Sequence, residues 1–198
     1  MKAAQLPATT LIGCSDLVKA RSFLLSRALG TDAEVFLFID ADMLPSVDQL
    51  ETLMLSERVD SQSAVTGAYL SKGQTLCARP VDGQDEAIVI GGMDRYRECQ
   101  GAGLGFAAVH RSSVLRYRAT LPVLRESGVD WWPFFLPTLI SAEQEPGGRR
   151  YLAEDYAFWW NLRAAAGVRL WLDTHLSIGH LTAVPVALEV GDEVEVAI

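Results

Sequence analysis

The sequence predicts an α/β sandwich, and three observations carry that prediction. Short apolar runs of strand length alternate with segments of helical periodicity along most of the chain. The clearest run, VFLFI at 35–39, is apolar at every position, as in a strand covered on both faces. Glycines and capping residues fall between the segments, where such a chain has to turn.

The elements follow in order. Segment 15–29 carries Leu17, Val18, Leu24, Leu25, Ala28 and Leu29 at roughly helical spacing, with Ser15 or Asp16 as cap and Gly30 as stop. After the strand at 35–39, a second helix starts near Val47. Ser46 and Gln49 form a capping-box pattern there, and Leu50, Leu53 and Met54 supply one apolar stripe. Segment 64–70 reads as a strand, and 75–90 as two weaker ones around the turn signal Asp82–Gly83. Segment 103–110 reads as a strand opened by glycines, followed by a short helix at 111–119. Residues 128–150, rich in Trp, Phe, Pro and Gly, read as irregular. A helix at 154–166 ends on Gly167, a strand follows at 169–173, and 183–198 forms a strand-like tail. There is no internal repeat and no low-complexity tract.

Size and composition narrow the function. A chain of 198 residues suffices for one domain with a single sizeable core. Hydrophobic residues at 49% and charged residues at 21% fit a globular protein rather than a disordered one. A formal net charge of −8 argues against nucleic acid as the main partner, because phosphate backbones demand clustered Lys and Arg. One anionic small molecule stays compatible with that charge, since a local arginine or a metal ion can invert the sign of a site. Cys14, Cys77 and Cys99 have no metal-binding spacing and an odd count, which suits reduced thiols and a cytoplasmic location. No signal peptide is visible, and the apolar window 131–140 is short and broken by Pro133 and Pro137. No transmembrane segment is expected; a peripheral membrane contact stays open.

Three features carry chemistry. Asp40 and Asp42 lie at i and i+2 just past the apolar strand, so an extended backbone would turn both carboxylates to one face. Carboxylates at the carboxyl end of a strand suit a hard divalent cation; a solvated turn is the plainer account. Glu154 and Asp155 open a helix, where the macrodipole stabilises negative charge. Either could simply complement the helix end, or Asp155 could serve as a general base; local sequence does not choose. His175 reads as an ordinary structural residue, and the role of His180 depends on whether it meets Asp42 in space.

In this order, the blocks resemble the GT-A glycosyltransferases, in particular the family 2-like bacterial and phage enzymes. The matching blocks are KARSFLLSRAL, FLFIDADM in the place of the DxD motif, GAGLGFAAVHRSSVL, YLAEDYAFWWNLRAAAG and LWLDTHLSIGH. The match runs from about Leu11 to Thr182. The resemblance implies a three-layer α/β/α sandwich with a mixed, mostly parallel sheet, in one domain over 1–198. Residues 1–100 would form the nucleotide and metal half, 101–182 the acceptor and catalytic half, and 183–198 a tail.

It further implies that Asp40, Asp42 and His180 bind Mn²⁺ or Mg²⁺ and, through it, the diphosphate of a nucleotide-sugar, UDP-sugar above all. Asp42 would be the direct ligand, with Asp40 nearer the ribose or a metal-bound water. Asp155 would deprotonate an acceptor hydroxyl on a glycan, lipid or protein, with Glu154 structural or assisting and inversion at the anomeric centre. Arg21 would lie near the nucleotide or its phosphates. Gly103 and Gly105 would let the backbone pass close to the donor sugar.

Two departures stand out. Relatives begin with a strand and helix that carry much of the base pocket, whereas only MKAAQLPATT stands ahead here, implying an N-terminally shortened form. The residue after Arg21 is Ser22, where relatives commonly have asparagine.

Two other readings compete. A catalytically degenerate binding module fits the shortened nucleotide half. A haloacid-dehalogenase-like phosphatase also places DxD after an apolar strand, but Met43–Leu44 and the badly placed Lys72 fit it poorly. The aromatic window 131–140 suits either an acceptor site or a loop folded on the core. Arg149 and Arg150 read as surface residues, and Trp159 and Trp160 as core or interface.

Overall fold

The computed structural model of the chain describes residues 8, 16–71, 75–81, 88–142, 147–181 and 193–194. Its first half runs α1 (Leu17–Ala28), β1 (Val35–Ile39), β2 (Met43–Leu44), α2 (Val47–Met54), β3 (Ser63–Ala68), β4 (Ala78–Pro80), β5 (Ile88–Val89), β6 (Tyr96–Ala102) and β7 (Phe106–His110). The second half continues with α3 (Arg111–Arg118), β8 (Leu124–Glu126), β9 (Val129–Trp131), β10 (Thr138–Ser141), β11 (Arg149–Leu152), α4 (Glu154–Ala166), β12 (Arg169–Ser177), β13 (Gly179–His180) and β14 (Glu193–Val194).

Local sequence accounts for the helix ends. Asp16 caps α1 by accepting the Lys19 N–H at 3.0 Å. Ser46 and Gln49 close the expected capping box on α2, and the Gln49 amide also donates to the Ser177 carbonyl at 2.5 Å. Gly167 ends α4 in the left-handed region at φ 65°, a conformation that favours glycine.

A six-stranded mixed sheet, in the order β1-β7-β3-β12-β6-β4, forms the centre of an α/β fold. Side chains alternate across it. Ala107 and Val109 of β7 join a core with Leu25, Val114, Phe134, Phe135, Phe158 and Leu162, under α1, α3 and α4. Phe106 and Ala108 turn the other way, to Met43, Leu53, Leu176 and Ile178 under α2. Helices on both faces give the three layers. Phe158 anchors the larger core, stacked on Phe135 at 4.6 Å and edge-on to Phe38 at 5.7 Å. Truncating such a ring costs about 3–5 kcal/mol.

The structure departs from the sequence reading in four places. The sheet is mixed but not mostly parallel: only β3 with β12 pairs parallel, and the other four neighbouring pairs are antiparallel. The polar residues Arg97, Glu98 and Gln100 conceal β6, which pairs with both β12 and β4. The glycines at 103 and 105 belong to the turn that precedes β7 rather than to the strand. The region 128–150 is not irregular throughout, since β8 pairs with β9 and β10 with β11.

The aromatic window packs inward at its centre, with Phe134 and Phe135 fully buried and Leu136 and Leu139 exposed. Of the tail, β14 pairs with β5; Asp82–Gly83 and Cys14 lie outside the described residues. Among the described residues no helix is long and apolar enough to cross a membrane.

Candidate functional site

The chemistry-bearing residues gather where β1 ends, around a turn that separates the two aspartates. β1 stops at Ile39. The Asp40 N–H then donates to the Gly105 carbonyl at 3.0 Å, and the Asp40 carbonyl accepts the Met43 N–H at 3.0 Å. Because 40–43 is a turn and not extended chain, the i, i+2 argument for a shared face fails. The two carboxylates go to different partners.

Asp42 goes to His180. The short ladder between β2 and β13 sets His180 opposite Met43, and the Leu181 N–H donates to the Asp42 carbonyl at 2.7 Å. These backbone bonds bring the His180 Nε2 to 3.1 Å from the Asp42 Oδ2. The imidazole is buried, while Asp42 is 40% exposed. The His180 Nδ1 lies 2.8 Å from the Leu70 carbonyl. A carbonyl can only accept, so Nδ1 carries a hydrogen and Nε2 is the nitrogen that faces the carboxylate. A proton or a cation between Nε2 and Oδ2 makes that contact attractive.

Asp40 goes to Arg21 of α1. Arg21 Nη2 donates to both Asp40 oxygens, at 2.7 and 2.8 Å, and Nη1 donates to the Glu154 Oε1 at 3.2 Å. The Arg21 side chain is only 11% exposed. Both of its terminal nitrogens are thus engaged by carboxylates of the chain itself.

Asp155 sits beside this cluster in the first turn of α4. Ala153 offers no capping side chain, and the Asp155 Oδ1 accepts the Tyr156 N–H at 2.8 Å. Burial pushes the Asp155 carboxyl up to about 6, helped by the Glu154 charge, while N–H bonds and Arg21 pull the other way. Burial likewise pushes the Cys77 thiol up to about 12, with the charges of Asp155 and Asp40 adding to it. Desolvation raises Tyr69 too, and the same two aspartates contribute. Asp40 and Asp155 therefore lie near enough to Cys77 and Tyr69 for their charges to act on both.

Tyr69 and Cys77 escaped the sequence reading, which took Tyr69 as one more strand residue. The Tyr69 hydroxyl accepts the Gly105 N–H at 2.8 Å, and its ring stands edge-on to His180 at 6.1 Å. A Cβ on Gly103 would collide with the Tyr69 hydroxyl, and one on Gly105 with the Met43 methyl. These glycines thus make room for Tyr69 and Met43; the readable signal was two glycines bracketing one residue. His175 stands apart, with Nε2 2.7 Å from the Gly92 carbonyl. Arg149 is exposed and Trp159 buried, its indole N–H donating to the Ala102 carbonyl at 2.9 Å.

The three-ligand metal site Asp40, Asp42, His180 is not assembled. Among the described residues, no three His, Cys, Asp or Glu side chains gather into a group that could hold a metal ion. The pair Asp42 and His180 does suit a divalent cation: one carboxylate, and one imidazole oriented through its far nitrogen by a carbonyl. Mg²⁺ and Mn²⁺ commonly take one or two protein ligands and fill the rest from water and phosphate.

No family model matches the chain, and no curated protein matches it. Among solved structures it is similar to the crystal structure of A197 from STIV, at 19% identity and a TM-score of 0.52. The similarity covers 93% of this chain and 80% of that one. At this level of identity the likeness is one of fold: both chains build the same α/β arrangement.

Proposed function

We propose that this chain is a metal-dependent glycosyltransferase that moves a sugar from a nucleoside-diphosphate donor to an acceptor hydroxyl with inversion. One observation carries the reading: His180, held by the Leu70 carbonyl, faces Asp42 at 3.1 Å, and the Tyr69 ring that stands edge-on to His180 belongs to a hydroxyl that also feels the Asp155 charge. Asp42 and His180 would hold Mn²⁺ or Mg²⁺, which when bound supplies positive charge against a departing diphosphate.

The remaining work falls to side chains of this chain. Asp155, with a carboxyl raised to about 6, is ionised at neutral pH yet basic enough to accept a proton from an alcohol as the bond forms. Its proton acceptor is the carboxylate, of which Oδ1 is already held by the Tyr156 N–H. Glu154 faces Arg21 and takes no proton in this scheme. Tyr69 and Cys77 stay neutral through burial and add no charge beside Asp155.

A second reading is a binding module that has kept the fold without turnover. The Arg21–Asp40 pair favours it, as does the lack, among the described residues, of a third metal-binding side chain beside Asp42 and His180. Transfer and hydrolysis across a panel of UDP- and GDP-sugars, with and without Mn²⁺, separates the two. Mn²⁺-dependent turnover lost in Asp42→Ala supports the enzyme. Binding without turnover supports the module, and turnover untouched by Asp42→Ala rejects the metal role.

A further inference from the structure

We propose that Arg21 is a positioning residue: it ties Asp40 at the end of β1 to Glu154 at the start of α4, and so fixes the first turn of α4, which presents Asp155. This deepens the transfer reading and rests on it for the catalytic consequence. The geometry is that of a two-handed clamp. One terminal nitrogen spans both Asp40 oxygens, at 2.7 and 2.8 Å, and the other reaches Glu154 at 3.2 Å.

The clamp joins elements with no ladder between them. β1 is the edge strand of the sheet, paired with β7, while α4 packs over the core through Phe158. Deeper down, Phe38 meets Phe158 and sets the spacing between β1 and α4. At the site end, the Arg21 guanidinium provides the polar link. A planar fork fixes both carboxylates at a set angle, which a lysine ammonium cannot do from one point. Because Asp155 follows Glu154 directly in the first turn, holding Glu154 holds the turn that presents Asp155.

The groups that act electrostatically with Asp155 are Glu154 and Tyr156 on its own helix, Arg21 of α1, and Tyr69 and Cys77 from outside α4. Arg21 is the cation among them, so its removal acts on Asp155 in two ways: lost attraction, and a Glu154 charge left uncompensated.

The test is an NMR titration of the Asp155 carboxyl carbon in the full, metal-free chain, assigned with Asp155→Asn. Arg21→Gln is expected to move the Asp155 midpoint upward by about half a unit or more, and Arg21→Lys to leave it near the wild-type value. Mn²⁺ affinity, read by water-proton relaxation, stays within about twofold in both variants. In a transfer assay both lose about tenfold or more in kcat with little change in donor KM, as misplacement of a base predicts.

An unmoved Asp155 midpoint in folded Arg21→Gln overturns the proposal. So does a fall in Mn²⁺ affinity matching the fall in kcat, which would make Arg21 part of the donor site. If Arg21→Gln does not fold, an undiminished kcat in Arg21→Lys overturns it instead. A chain without transfer activity rejects the proposed function while the titration still decides whether Arg21 governs Asp155.

Discussion

Asp40 and Asp42 belong to one short motif and have opposite surroundings. Asp40 is neutralised by a cation of the chain itself, in a bidentate contact with a nearly buried Arg21. Asp42 has a buried imidazole beside it, whose nearer nitrogen needs a proton or a metal to make the contact attractive. The turn at 40–43 creates this division. Spacing in a motif therefore does not fix a shared ligand; the backbone after the strand decides where each carboxylate points. One aspartate belongs to the architecture of the site and the other to its proposed chemistry.

The largest effects should fall on the chemical side. Asp155→Asn removes the proposed base and should lower the transfer rate by about 10²–10⁴-fold in a metal-supplemented assay with a turned-over UDP-sugar. Asp42→Ala should abolish Mn²⁺ binding with little loss of stability, because a contact at a partly exposed carboxylate contributes about 0–1 kcal/mol. Asp155 also predicts the pH dependence. The carboxylate is the active form, so the rate should rise with pH and level off above the carboxyl value of about 6.

Asp40 should behave in the reverse way. Asp40→Asn leaves the Arg21 guanidinium, at 11% exposure, with Glu154 as its remaining carboxylate, and the weakened charged hydrogen bonds should cost about 1.5–3 kcal/mol in urea unfolding. Mn²⁺ affinity at Asp42–His180 should hold. Equal losses of Mn²⁺ affinity in the Asp40 and Asp42 variants would erase the distinction between the two residues.

Stability should also report Asp155. Its folded carboxyl lies above the ordinary 3.8, so between about 4 and 6 the native state binds more proton than the unfolded chain. Stability therefore falls as pH rises through that window and is flat in this contribution above it. Asp155→Asn removes the burden of a buried charge and should raise stability at pH 8 by about 1–2 kcal/mol, with no such gain near pH 4. A thermal-melt series across pH measures it.

Much of this was legible, for physical reasons that differ by element. β1 declared itself by continuous apolar residues, α2 by Ser46 and Gln49, and α4 by its bounds, read to the residue from the acidic start and Gly167. β6 was not legible because a strand with polar Arg97, Glu98 and Gln100 lacks the apolar signal that marks burial. The separation of Asp40 from Asp42 was hidden as well. It depends on the Asp40 N–H finding the Gly105 carbonyl, 65 positions away in a chain where neither residue announces the other. The pairing of Asp42 with His180 was anticipated through the family resemblance, whereas Tyr69 had no sequence mark beyond the two glycines that accommodate it.

Tyr69 offers the smallest and finest test, because it touches both sides of the division. Its hydroxyl accepts the Gly105 N–H, and the carbonyl of the same Gly105 accepts the Asp40 N–H, so that side leads to the Arg21 clamp. Its ring stands against His180, so that side leads to the proposed metal pair. Tyr69→Phe keeps the ring and deletes the acceptor, leaving a buried N–H without a partner at a cost of about 1 kcal/mol. Urea unfolding should record that loss while Mn²⁺ affinity is retained, since the edge-on ring and the Leu70 carbonyl still orient His180. If Mn²⁺ binding weakened with the loss of one hydroxyl, the strand end would couple the two aspartates after all, and the site would act as one unit rather than as a frame beside a centre.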